Sequence, residues 1–146
     1  MDEAHSGSTS AFINYEATGP GEDWLKTPQI FSIQSGDNVT FWLKNQFAQS
    51  YPPDNMEILV STTNNQNASF TNSIGNIDIS TLLSGGWVQF TYSLTAFAGQ
   101  NIYIAFRHTD NTGSGVYLDD VSAGSLLTND AASKGITVTP SAIVTP

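Results

Sequence analysis

Cysteine is absent from this 146-residue chain, which excludes disulfide bonds, thiolate zinc centres and a cysteine nucleophile. Basic side chains are scarce: 4 Lys and Arg stand against 13 Asp and Glu, for a formal net charge of −9. Nucleic acid and anionic membrane both need basic patches, so neither is expected as a partner. No apolar run reaches membrane-spanning length, and no signal peptide is recognisable. An acidic, polar start after Met1 reads as a mature or excised fragment whose leader is gone. Helical periodicity of useful length is also missing. Histidine occurs only at His5 and His108, and neither stands near a plausible nucleophile with an orienting acid in sequence, so catalysis is not expected. Glu22 and Asp23 do not make a glycosidase pair, because adjacent carboxylates in an extended chain face apart.

What remains is a chain rich in Ser, Thr, Asn and Gly, punctuated into short alternating segments. Strands are predicted at 10–15, 29–33, 38–44, 56–61, 87–94, 101–108 and 116–123. Val39, Phe41 and Leu43 alternate with Thr40, Trp42 and Lys44, the period of a half-buried strand. Many short strands separated by Gly- and Asn-rich turns mean an antiparallel sandwich or barrel. Residues 64–76 read as a long polar loop, and 77–83 as room for a short helical turn. The chain divides into a β-domain over 1–124, a linker over 125–134 and a β-prone tail over 135–146, where Pro140 interrupts a strand-like run.

The most informative stretch is Asn101–Gly124, two strands around a polar loop at 109–115, with adjacent carboxylates Asp119 and Asp120 in the second. Strands disfavour Asp, so one of the pair is expected to point inward or toward a sheet edge and to need a partner. Calcium is a suitable one, with Asp119 and Asp120 as hard oxygen ligands. Glu3 or Asp2, and backbone near His5 and Ser6, would join them if the fold brings the chain ends together. Asp110 and Asn111 read as turn formers, and Arg107-His108 as sheet surface. Trp24, Trp42, Tyr51 and Tyr103 are candidates for a ligand-stacking platform, Trp42 because it faces away from the core stripe.

Several segments resemble cleaved-adhesin, or choice-of-anchor J, domains, the group that includes gingipain adhesin domains and is similar in fold to MAM domains. Residues 101–124 are similar to its C-terminal strand pair, and Glu22–Pro28 resembles its "DWLITP" motif. Ser35–Trp42 resembles "sGdtlsFw", Glu57–Thr62 "evlvSt", Trp87 with Tyr92–Leu94 and Ala98–Gln100 "W…ydLsayaGq", and Ala4–Ser8 "aHSGs". The resemblance implies an all-β, antiparallel jelly-roll sandwich of galactose-binding-like type, non-catalytic, often holding structural calcium. It implies a secreted or cell-surface location and a role in adhesion or ligand binding, with a glycan or a host or matrix protein as partner. It also gives Glu22 and Asp23 a turn role. A composition poor in charge and rich in small polar residues is common in such modules.

One departure stands out. In these families a first strand ending in "FE" precedes "aHSGs" by tens of residues, whereas here only Met1–Glu3 does. The expectation is an open sandwich edge, filled by the tail residues Ile136, Val138, Ile143 and Val144 of this subunit or of a neighbour. Exchange between subunits would make a homo-oligomer or filament. The other readings are a carbohydrate-binding module and an accessory domain of a larger secreted hydrolase.

Overall fold

A computed structural model describes residues 3–47, 54–83, 85–111 and 113–124. Tyr51 and the whole linker and tail, with Ile136, Val138, Ile143 and Val144, lie outside the described residues. Eight strands run β1 (Ala11–Ile13), β2 (Pro20–Lys26), β3 (Asn38–Asn45), β4 (Asp54–Ser61), β5 (Asn72–Asp78), β6 (Val88–Ser93), β7 (Tyr103–Asn111) and β8 (Val116–Gly124). They form two four-stranded sheets, β1-β8-β3-β6 and β2-β7-β4-β5, and every named pairing is antiparallel. The chain changes sheet at nearly every connection, which is the order of an eight-stranded jelly roll.

Alternation builds the core between the sheets. Val39, Phe41 and Leu43 of β3 face Ile104 and Phe106 of β7 and Met56, Ile58 and Val60 of β4, all essentially inaccessible to water. Phe41 meets Phe106 edge-on at 4.9 Å, a favoured geometry for aromatic pairs. At about 25 cal/mol per Å² of apolar surface removed from water, this core dominates the stability of the domain. Gly75 in β5 lies under the Tyr92 ring, where any Cβ would collide with it. Burial in turn raises the Tyr92 phenol pKa above its ordinary value.

Three sequence expectations change. Residues 29–33 make no strand, only an isolated bridge from Ile30 to Ile102, because Pro28 has no N–H to donate and Ser32 takes a left-handed φ of 54°. The region 64–76 is not all loop: it holds a 3-10 turn at Asn67–Ser69 and then β5. Glu22 and Asp23 lie within β2, paired with Thr109 and His108, not in a turn. The short helical turn expected within 77–83 is present at Ile79–Thr81, capped by Asp78.

Beyond the sandwich, Leu59, Phe70 and Ala105 form a small cluster with Trp24 and Tyr103 on the outer face of the β2-containing sheet. On the opposite side of the molecule, β1 spans three residues and pairs only with Val116–Leu118. The edge of β8 from Asp119 to Gly124 has no strand beside it there among the described residues. The eight strands of the roll are nonetheless all present, so the expected open edge reduces to the short reach of β1.

Candidate functional site

Asp119 and Asp120 sit where β8 bulges against β3. Thr40 pairs with Ser122 and Trp42 with Asp119, so two β8 residues stand opposite Phe41. A bulge re-aims side chains, and Asp120 takes a left-handed φ of 49°, a conformation Asp tolerates better than most residues. The usual up-down alternation is broken, and both carboxylates turn to the same N-terminal segment. Asp119 Oδ2 accepts from the backbone N–H of His5 at 2.7 Å and of Ser6 at 3.3 Å, and Oδ1 from the Asp120 N–H at 2.7 Å. Asp120 Oδ1 accepts from the Ser6 hydroxyl at 2.5 Å, and its Oδ2 lies 2.7 Å from His5 Nδ1. The Ser6 hydroxyl first, and then His5, hold the Asp120 carboxyl below its ordinary pKa, since both favour the charged form.

Four of the five residues expected together at a cation site, Asp119, Asp120, His5 and Ser6, are thus within hydrogen-bonding distance. Glu3 is drawn aside into an ion pair with Lys44. Among the described residues no three His, Cys, Asp or Glu side chains converge on a point that would hold a metal ion. In this arrangement the four carboxylate oxygens clamp the N-terminal segment to the sheet.

The candidate aromatic platform is divided between two faces. Trp24 and Tyr103 pack in the satellite cluster on one sheet, with Arg107 and Lys26 at 5.3 and 5.8 Å from the Trp24 ring. Trp42 belongs to the other sheet, where His5 stacks on it at 3.7 Å between centroids. There it joins rings that sequence reasoning did not group: Trp87 lies 5.9 Å from His5, Tyr117 6.3 Å from Trp87, and Phe12 4.6 Å from Tyr117. β1 and β8 side by side make this row, a pairing no local sequence window contains.

A second polar centre, also unforeseen, closes one end of the sandwich. His108 is fully buried, not on the sheet surface, and Asp110 is 4% exposed on the inner face of β7 and not a turn residue. The strand runs on past the expected loop boundary because Asp54 of β4 stands opposite Asp110 in register. His108 Nε2 donates to Asp54 Oδ1 at 2.7 Å, and Asp54 Oδ2 accepts from the Ser114 N–H at 2.8 Å. The Ser114 hydroxyl donates to Asn45 at 2.6 Å. Asp, His and Ser are therefore adjacent without forming a nucleophile relay, because the hydroxyl is turned from the imidazole and is buried.

The segment over residues 2–123 matches the model of the Cleaved Adhesin Domain family. The chain belongs to the cleaved adhesin family. Two Hemagglutinin A sequences of Porphyromonas gingivalis, one of them from strain ATCC BAA-308 / W83, are 29% and 30% identical to this cleaved adhesin chain across 69% of its length. Their matching regions amount to 4% and 5% of those proteins, so the chain spans a small fraction of the curated relatives it matches. Among solved structures, the K1 cleaved adhesin domain of Lys-gingipain from P. gingivalis W83 has a TM-score of 0.63 at 26% identity, over 80% of this chain and 74% of that one. The K3 domain gives 0.59 at 28%, over 81% and 72%. A CBM61 domain, TmCBM61, solved with β-1,4-galactotriose shares the fold at a TM-score of 0.57 and 15% identity, over 84% and 74%. Family and fold together mark this cleaved adhesin domain as an adhesion or binding module.

Proposed function

We propose that this domain is a non-catalytic, extracellular bacterial adhesion module that joins to further copies through a borrowed strand. The observation carrying this reading is the unpaired edge of β8 from Asp119 to Gly124. Beside it runs a groove of about 190 Å³ lined by Thr27, Pro28, Gln29, Ile30, Val121 and Ala123, and Val121 is 40% exposed. An added strand would gain main-chain hydrogen bonds along the edge and place alternate side chains in the groove. Ile136, Val138, Ile143 and Val144 supply such side chains, donated from one subunit to the next. A head-to-tail contact of this kind propagates into a filament if it does not close. Deletion of residues 135–146, followed by sedimentation velocity and negative-stain microscopy, tests the reading. Polymers should give way to monomers; assembly that persists unchanged rejects it.

Structural calcium at the clamp forms part of the same proposal. Asp119 and Asp120 would hold the ion as hard oxygen ligands, with the Ser6 hydroxyl the nearest neutral oxygen. The ion would take lone pairs that now serve the His5 and Ser6 donors. A calcium-dependent rise in thermal stability that is lost in Asp120→Asn supports it, and the same rise in that variant rejects it.

The ring row Phe12–Tyr117–Trp87–His5–Trp42 favours a second reading, in which this face stacks on a glycan or a host protein. Tryptophan fluorescence on titration with β-1,4-galactotriose and other neutral oligosaccharides tests it. Loss of a response in Tyr117→Ala would assign the face, and no response in the parent protein to any of them would remove glycans.

A further inference from the structure

We infer that the buried acidic end of the sandwich is a second cation site, centred on Asp110 and Glu16 and distinct from the Asp119–Asp120 clamp. Asp110 Oδ2 accepts the N–H groups of Glu16 and Gly113, at 3.0 and 3.1 Å. Its other oxygen, Oδ1, is buried and has no hydrogen-bond partner. A carboxylate oxygen shut from water in this way requires a compensating charge or donor. That oxygen points at Gly21, directly across β2 from Asp110 in register. A Cβ at Gly21 would collide both with Asp110 Oδ1 and with the Glu16 side chain. The missing methyl is what lets the two carboxylate side chains approach over one glycine.

Charge balance carries the argument further. Asp54 lies beside Asp110 in register, and a Cβ on Gly113 would stand 2.9 Å from Asp54 Oδ2 and 3.0 Å from Asp110 Cβ. Asp23 pairs with His108 on β2 and lines, with Glu16, a cleft of about 510 Å³ that opens to solvent. Four carboxylates therefore gather at one end, with His108 the single nearby group able to carry positive charge. The three described basic side chains are engaged elsewhere: Lys44 with Glu3, Arg107 with Glu57 and Lys26 with the Asn65 carbonyl. Compensation has to come from outside the described residues.

The donors are hard oxygens, which select calcium or a similar divalent ion over softer metals. Two carboxylates are anchors only, so water and backbone carbonyls complete the shell. Such a site belongs to the weak, extracellular class of calcium sites, with Kd on the order of 0.1–1 mM. The cleft beside Glu16 gives the ion its way in.

The test is a calcium titration of the full chain, stripped of metal, followed by thermal unfolding and by terbium luminescence sensitised by nearby rings. Glu16→Gln removes one exposed ligand charge without touching the core, and Asp110→Asn removes the buried one. Each should weaken the calcium response about ten-fold or more, while Asp120→Asn leaves it in place. A response lost in Asp120→Asn and intact in both other variants would overturn the inference and assign the ion to the clamp. No response in the parent protein up to about 10 mM calcium, ten times the weak end of that class, would overturn both sites. Because Glu16 is exposed, its variant still decides the question if Asp110→Asn fails to fold.

Discussion

Two carboxylate pairs lie on different parts of this sandwich, and their surroundings are opposite. Asp119 and Asp120 are adjacent in sequence, open to solvent, and have all four oxygens accepting from protein donors. Asp54 and Asp110 are 56 positions apart, buried, and leave one oxygen without a donor. Satisfaction is cheap where water can substitute and costly where it cannot. The exposed pair therefore works as a reversible fastening, whereas the buried pair is part of what makes the end of the roll fold.

Mutation can break this contrast. Asp54→Ala strips His108 and the Ser114 amide of their acceptor in a water-free place, and should cost about 3–5 kcal/mol. Urea unfolding would measure it, and a loss under about 1 kcal/mol would erase the distinction between the two ends. Ser114→Ala removes one buried hydroxyl from Asn45 and should cost about 1–2 kcal/mol by the same measurement. Asp119→Ala removes the acceptor for the His5 and Ser6 amides. It should cost about 1 kcal/mol and speed hydrogen exchange at those two amides while leaving core amides of β4 and β7 protected.

The smallest effect concerns pH. Asp120 has a folded pKa lowered from 3.8 by the Ser6 hydroxyl and by His5. A depressed carboxylate contributes stability that is complete above its unfolded pKa and is lost as pH falls through the lower folded value. The clamp should hold across the neutral and mildly acidic range and release only below the ordinary carboxylate range. Trp42 fluorescence, sensitive to the stacked His5 ring, would report the release. A transition near neutral pH would show that His5, not Asp120, controls it.

The sequence carried the sandwich well because alternation is local. Val39, Phe41 and Leu43 fix the inner face of β3 without knowledge of any neighbour. The jelly-roll class and the family followed from motifs in order along the chain. The clamp was legible as far as its members, since two adjacent acids in a strand are anomalous and "HSGS" stands beside them in relatives. Its geometry was not, because a bulge depends on the register of β3 against β8. Nothing local marks Asp54, which precedes an ordinary strand, or separates the buried Asp110 from the turn-forming Asp it imitates. Only the antiparallel register of β4 and β7 makes them a pair. The aromatic candidates failed as one platform for a similar reason: outward-facing residues of different sheets look alike in sequence.

The neighbourhood of β1 and β8 also decides how the domain would bear tension. Ala11 is paired with Leu118, and the chain leaves both residues toward the same end of the ladder, where His5 and Ser6 meet Asp119 and Asp120. A pull applied through residues 3 and 124 would load these contacts one after another, as in opening a zipper, and not all together in shear. The N-terminal segment would peel away at low force while β3, β4 and β7 stayed closed. Extra length would thus be released before the sandwich itself was at risk, an extensible joint placed where polypeptide enters and leaves.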